Sequence, residues 1–249
     1  MRKEYINEES WSKIFGFLKG LRRIYPGTEK KCKRFFEALY WLAKTGSQWR
    51  EIPSSYGIWN SIFKRFNAWC KKSIFEALLA FLAQDADLEY VMIDATIMRA
   101  HACSAGYGKQ DTAGLGRSKG GFTTKMHAIT DALGNLLKFT ITAGQRNDIT
   151  QAEALLRGIS GAYVIADRGY DCDAFREQLA KQECISVIPS KSNRRHPPFY
   201  DKHIYKERNL IEGFFAKLKQ FRRTATRYDK SSRSFSGFLS LVGAFLWLR

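Results

Sequence analysis

Cysteine is scarce and badly placed for cross-links. Cys32, Cys70, Cys103, Cys172 and Cys184 are odd in number, widely spaced and without a C-x-x-C pair. That pattern excludes a zinc ribbon or a disulfide framework and reads as reduced thiols of a cytosolic protein. Long apolar runs are also missing. The most apolar stretch, Phe235 to Leu248, is too short and too interrupted by Ser and Gly to span a bilayer, so it reads as a buried final helix. No signal-peptide pattern precedes the first amphipathic segment, and a cytoplasmic protein with no membrane partner is expected. Acidic residues are the third shortage: 24 Asp and Glu face 41 Lys and Arg, leaving +17 and a pI near 9.8. Such an excess calls for a polyanionic partner, nucleic acid before a membrane surface.

What is present suits a folded protein. The 249 residues, 45% hydrophobic and 26% charged, allow one large or two modest domains. The basic excess gathers towards the ends. Met1 to Phe35 holds ten basic and four acidic residues, net +6, and Ser190 to Arg233 thirteen and four, net +9. Both stretches are expected to touch phosphate.

The first third reads as helices. Asn7 or Ser10 can cap a helix to about Ile24, ended by Pro26-Gly27. Lys30 to Thr45 carries Phe35, Phe36, Leu39, Tyr40 and Leu42 on one side, and Gly46 stops it. After the aromatic loop S-Q-W-R-E-I-P-S-S-Y-G, a third helix places Trp59, Ile62, Phe63, Phe66 and Trp69 at helical spacing with Lys64 and Arg65 beside them. Ser73 to about Asp85 closes a small all-α unit, expected at residues 1–86, that suits a helix-turn-helix-like reader of the major groove. The loop before the third helix is longer than such turns usually are, and a structural bundle with solvated charges is the competing reading.

From residue 87 the pattern changes to an α/β unit. L-E-Y-V-M-I-D-A-T reads as an apolar strand ending in Asp94, and A-Y-V-I-A as another ending in Asp167. Between them, Phe122 to Thr130 and Leu136 to Thr142 flank D-A-L-G-N, a hairpin in which Asp131 reads as a turn residue. His101 to Gly121 reads as a mobile loop, and Asp148, Asp171 and Asp173 as caps or turns. Three strands in a meander followed by alternating helices and strands give a mixed sheet covered on both faces.

The stretch Tyr205 to Arg223 joins chemistry to packing. At about 100° per residue, Tyr205, Arg208, Glu212 and Lys219 fall within roughly 60° of one another. Leu210, Ile211, Phe214, Phe215, Leu218 and Phe221 form the adjoining apolar stripe. The bland alternative is a surface helix with i,i+4 charge pairs. Strand ends are where open sheets place ligands, so Asp94 and Asp167 can meet Glu212 from a helix laid on the sheet. Three such carboxylates repel unless a cation holds them. Oxygen ligands alone favour Mg²⁺.

These motifs resemble the DDE transposases of bacterial insertion sequences, and among them the IS5 family. Tyr205, two residues, Arg208, three residues, Glu212, six residues, Lys219 is similar to the Y-R-E-K signature shared with IS4 relatives. W-R-E-I-P with Tyr56, Gly57 and Trp59, then I-D-A-T, G-R-S-K-G-G-F-T-T-K, D-A-L-G-N, A-D-R-G-Y-D, V-I-P and F-R-R-T-A-T-R-Y-D-K extend the likeness along the chain. Two positions depart from many relatives: Gly213 stands where a basic residue follows the glutamate, and Arg168 where a Lys is usual.

The resemblance implies an RNase H-like catalytic domain at 87–249, with Asp94, Asp167 and Glu212 as catalytic, Mg²⁺-binding residues and Mn²⁺ as a substitute. It implies that Tyr205, Arg208 and Lys219 handle DNA near the scissile phosphate. The partners it implies are the terminal inverted repeats and target DNA, bound by a homodimer on the nucleoid, with the helical unit, Lys64 and Arg65 included, reading the repeats. A catalytically silent DNA-binding repressor of the same fold and an RNase H-like nuclease without strand transfer are the rival readings.

Overall fold

The computed structural model describes residues 5–104, 114–118 and 121–249. In chain order its main elements are α1 (Glu8–Gly20), α2 (Glu29–Thr45), α3 (Trp59–Lys71), α4 (Ile74–Leu82), β1 (Tyr90–Ala100), β2 (Gly116–Ser118), β3 (Gly121–Thr130), β4 (Leu136–Ala143), α5 (Ala152–Leu156), β5 (Tyr163–Ala166), α6 (Asp173–Lys181), β6 (Ile185–Val187), α7 (Asn209–Lys219), α8 (Arg222–Ala225) and α9 (Ser232–Trp247). They fall into two compact units.

One unit is helical and gathers Met1–Leu82, His101–Thr112 and Leu218–Arg249. Asn7 caps α1 as its sequence suggests, its side-chain oxygen accepting from Ser10 N at 2.8 Å. The helix stops at Gly20, where Leu21 turns to extended backbone, instead of running on to Ile24. The interior is aromatic: Trp11, Phe36, Phe66 and Phe75 are fully buried together with Phe235 and Phe238 of α9. The last apolar run is therefore core, as expected, but core of the helical unit. Its Gly237 permits the approach, since a Cβ there would stand 2.5 Å from Cys70 Sγ. Between α2 and α3 the long loop is organised by two 3₁₀ turns, Trp49–Glu51 and Ser54–Tyr56.

The other unit, Ala83–Ala100 with Ala113–Lys217, is a mixed sheet flanked by helices. β3 pairs antiparallel with β1 on one side and with β4 and β2 on the other. β1 then runs parallel to β5, and β5 to β6. An antiparallel meander followed by parallel strands is the RNase H-like arrangement. Val91, Met92 and Ile93 of β1 and Val164, Ile165 and Ala166 of β5 have no exposed surface, as central strands covered on both faces should. The β3–β4 turn is set by Asp131, whose Oδ1 accepts from Leu133 N at 3.0 Å and Asn135 N at 2.7 Å, and by Gly134 at φ +79°.

Two further expectations need correction. β1 does not end at Asp94 but runs to Ala100, because β3 continues to pair with it as far as Arg99↔Thr123. The stretch Tyr205 to Arg223 is not one helix. A 3₁₀ turn, Ile204–Arg208, leads into α7, and Phe221 is extended before α8 begins. The mobile loop expected over residues 101–121 falls largely outside the described residues.

Candidate catalytic site

The site begins with a register. β1 and β5 pair in parallel up to Ile93↔Ala166, so Asp94 and Asp167 are each the next residue along neighbouring strands. Side chains alternate faces along a strand. With Ile93 and Ala166 turned one way, both carboxylates leave the sheet on the opposite face. β5 stops there, and Asp167 Oδ1 caps the following 3₁₀ turn by accepting from Gly169 N at 2.7 Å. A carboxylate that caps a turn at the end of a buried strand is held at a fixed place.

Glu212 joins from the first turn of α7, with Arg208 one turn earlier. The guanidinium of Arg208 donates through Nη1 to Asp94 Oδ2 at 2.6 Å and through Nη2 to Glu212 Oε1. Two of the three acids thus share one cation. Asp94 is mostly enclosed, its side chain 17% exposed, whereas Glu212 is 55% exposed. Burial pushes the Asp94 carboxyl above its ordinary range and the negative charge of Asp167 adds to this, while the Ala95 N–H and Arg208 pull it down. Among the described residues no three His, Cys, Asp or Glu side chains converge closely enough to hold one ion together.

The remaining residues singled out from sequence divide by what they touch. Tyr205 is half-buried and packs edge-on against Tyr200, ring centres 5.6 Å apart. Lys219 and Lys64 are exposed. Arg65 is engaged within the helical unit: its guanidinium lies 4.3 Å from the Phe35 ring centre and 4.6 Å from that of Trp69, and Nη2 donates to Pro26 O at 2.8 Å. Held this way, it is not a free arm for a groove.

Sequence reasoning passed over two groups and misjudged a third. The Tyr170 hydroxyl, inside A-D-R-G-Y-D, is buried and makes no hydrogen bond. Burial, then the charges of Asp148, Asp94 and Asp167, drive its pKa far up, so it is a neutral phenol beside the acids. His127 on β3, opposite Ala95, is fully buried, with Nε2 2.8 Å from Thr142 Oγ1 and Nδ1 3.5 Å from Asp148 Oδ1. Burial lowers its pKa to about 4, which keeps the ring neutral at pH 7. Lys125 Nζ holds the same Asp148 oxygen at 2.8 Å. Asp171, four residues beyond Asp167, is buried among cations: Oδ1 accepts from Arg176 at 3.0 Å and Arg194 at 2.9 Å, and Oδ2 from Lys191 N at 2.9 Å. It is an anchor rather than a cap. The tyrosine in a motif next to a candidate ligand was the one signal available in sequence.

Comparison with known proteins agrees along both units. Residues 86–247 match the family described as transposase DDE domain, and residues 6–79 match "Putative transposase of IS4/5 family". A relative from Brucella ovis, "Putative transposase for insertion sequence element IS6501", is 43% identical over 129 residues, which is 51% of this chain and 99% of that one. Another from Burkholderia cepacia, "Putative transposase for insertion sequence element IS402", is 31% identical over 130 residues, 47% of this chain and 59% of that one. Among solved structures, the piggyBac transposase synaptic complex with hairpin DNA has a TM-score of 0.43 at 13% identity, covering 79% of this chain; the chain spans 51% of that transposase. A pre-cleavage Mos1 transpososome has a TM-score of 0.29 at 12% identity, covering 98% of both chains.

Proposed function

The chain belongs to the transposase DDE domain family, and from that premise we propose an insertion-sequence transposase of the IS5 group, with Tyr205, Arg208, Glu212 and Lys219 as its Y-R-E-K signature. It cuts DNA at the ends of its element and joins the freed 3′-hydroxyl to target DNA. Asp94, Asp167 and Glu212 hold the divalent metal, Mg²⁺ with Mn²⁺ as a substitute. The observation that carries this reading is the shared guanidinium: Asp94 and Glu212 already close on one positive charge, and the strand register sets Asp167 beside Asp94. The donor set fits such an ion, being oxygen alone, and burial holds the Asp94 carboxyl above its ordinary range, a cost that a bound cation relieves.

When bound, the metal activates the attacking water or 3′-hydroxyl and stabilises the leaving oxygen. The chain's own residues do the rest. Arg208 exchanges its carboxylates for a DNA phosphate, which it can grip with two parallel N–H donors. Tyr170 contributes a hydroxyl that stays neutral, so the site gains a polar partner without a further negative charge. Asp167, fixed on the Gly169 amide, keeps one oxygen turned away from that bond. Tyr205 and Lys219 handle DNA near the scissile phosphate, and the basic stretches near both ends hold the flanking backbone.

Residues 1–86 contribute the reader of the inverted repeats, with exposed Lys64 at the groove. Two copies bring the two ends together. The test uses labelled element-end duplex with Mg²⁺ or EDTA. Wild-type protein should cut only with Mg²⁺, and Asp94→Asn, Asp167→Asn and Glu212→Gln should bind the duplex but leave it whole. Sequence-specific binding by the wild type without cleavage in either Mg²⁺ or Mn²⁺ would identify a silent repressor instead.

A further inference from the structure

The chemistry above leaves one loop of the sheet unit without a role. β4 ends at Ala143, and residues 144–147 lead from it into the 3₁₀ turn Asp148–Gln151. That turn packs against the turn Arg168–Tyr170, which Asp167 caps. Strand register gives the separation from the acids. Ala143 is paired with Thr124, and Thr124 with Met98, four residues beyond Asp94 on β1. Four residues of strand and two strand spacings set the start of the loop about 16 Å from Asp94. At about 3.4 Å per base pair, that is roughly five pairs from a phosphate held at the acids.

The backbone of this loop is held from several sides. A Cβ on Gly144 would collide with Thr123 Oγ1, and Gln145 lies against Gly116. Arg146 N donates to Ala143 O at 3.0 Å. Lys125, its side chain only 14% exposed, gives its ammonium to the loop: Nζ donates to Arg146 O at 3.0 Å and to Asp148 Oδ1 at 2.8 Å. The Thr150 hydroxyl donates to Asn147 O at 2.7 Å. Enclosing an ammonium costs free energy, and a loop that merely joins two elements does not require it.

What this anchorage presents is a pair of side chains. Arg146 and Asn147 stand exposed, their side chains without a hydrogen-bond partner among the described residues. Arginine matches guanine O6 and N7 with paired hydrogen bonds, and asparagine matches adenine N6 and N7. A phosphate contact calls for a cation and leaves the neighbouring amide unused. We propose that Arg146 and Asn147 read base edges in the major groove within about five base pairs of the cut, Arg146 a guanine and Asn147 an adenine. The catalytic unit then has a sequence preference of its own, apart from the repeats read by the helical unit, a role that rests on the reading of the chain as an enzyme that cuts DNA. The same base edges are offered by the donor DNA flanking the element and by target DNA.

Two selections with the full chain separate these sources. In the first, an element-end duplex is extended outward by randomised pairs, and the protein selects from this pool in EDTA. In the second, a pre-cut element end is joined in Mg²⁺ to randomised target duplex and the products are sequenced. Wild type should enrich guanine at one position near the cut by at least about fivefold, the lower end of what one bidentate pair discriminates. The enrichment appears in the first pool if the donor flank is read and in the second if the target is. Arg146→Ala should lose the guanine preference and Asn147→Ala the adenine preference, both at exposed positions that do not threaten folding. Binding that weakens uniformly over the pool with the enriched bases unchanged would make the loop a backbone contact and overturn the assignment. A wild type that forms joined products but enriches no base in either pool would overturn it too, and leave the reading of the chain as a DNA-cutting enzyme intact. A wild type that binds no duplex and joins none would remove both.

Discussion

The motif A-D-R-G-Y-D holds two aspartates that look alike in sequence and differ in structure, and replacing each in turn separates catalysis from folding. Asp171 is 4% exposed and accepts from Arg176, Arg194 and the Lys191 amide. Removing one partner of a buried ion pair costs about 3–5 kcal/mol, and the lower figure applies because Arg176 and Arg194 are 10% and 20% exposed and can turn to water. A chain of this size loses about 2–4 °C of Tm per kcal/mol. Asp171→Ala should therefore melt about 6–12 °C below wild type, followed by circular dichroism. Asp167→Asn should melt close to wild type, since the amide oxygen can still cap Gly169 N. The pH dependence has a definite sign. Burial alone would raise the Asp171 carboxyl, but the Lys191 amide and the arginines outweigh it and hold the group below its ordinary value. A carboxyl depressed in the folded state binds fewer protons folded than unfolded, so its contribution is present above about pH 4 and fades as pH falls through the lower folded value. The gap between wild type and Asp171→Ala should accordingly narrow below about pH 4. An Asp171→Ala protein melting within about 2 °C of wild type at pH 7, less than one kcal/mol's worth, or an Asp167→Asn protein losing as much as Asp171→Ala, would refute the division of labour.

Gly213 sits in the middle of α7 with nothing within 4 Å of where a Cβ would stand. Gly213→Ala should raise stability by about 0.4–1 kcal/mol through a less flexible unfolded chain, and a lower melting temperature would mean a hidden clash. Arg208→Gln empties the place between Asp94 and Glu212, so added Mg²⁺ should raise its melting temperature more than it raises that of wild type. Equal shifts would show that Arg208 and the metal do not compete. DNA affinity should fall steeply as salt rises, given net +6 over Met1 to Phe35 and net +9 over Ser190 to Arg233, and a flat dependence would rule out phosphate contact there. A fragment of residues 1–86 lacks α9 and would expose Phe66 and Phe75, which pack on Phe238 and around Gly237, so it should be unfolded by circular dichroism, whereas a cooperative melt would show that α9 is dispensable.

Local pattern made much of the fold legible. The β3–β4 hairpin follows from Asp131 and Gly134, and burial of Ile211, Phe214, Phe215 and Leu218 follows from their spacing. The strand through Asp94 misled because Asp disfavours strand interiors and so reads as a terminator. What keeps β1 going is pairing with β3, a partner more than twenty residues away in sequence. The same blindness to distant partners hid Asp171, whose cations Lys191 and Arg194 follow 20 and 23 residues later, and left Arg65 to be read as a free arm when Phe35 and Pro26 hold it. Nothing in the local composition of α9 says that it fills the helical unit's interior. The wheel did bring Arg208 and Glu212 onto one face, and they are in contact.

On the proposed function, Asp94, Asp167 and Glu212 act as one metal site in the presence of DNA. Mn²⁺ binding followed by electron paramagnetic resonance on the protein bound to uncleaved element-end duplex measures this directly. Asp94→Asn, Asp167→Asn and Glu212→Gln should each weaken Mn²⁺ binding by at least about tenfold, or 1.4 kcal/mol, with duplex affinity unchanged. Full Mn²⁺ affinity in any one of the three variants would contradict the site.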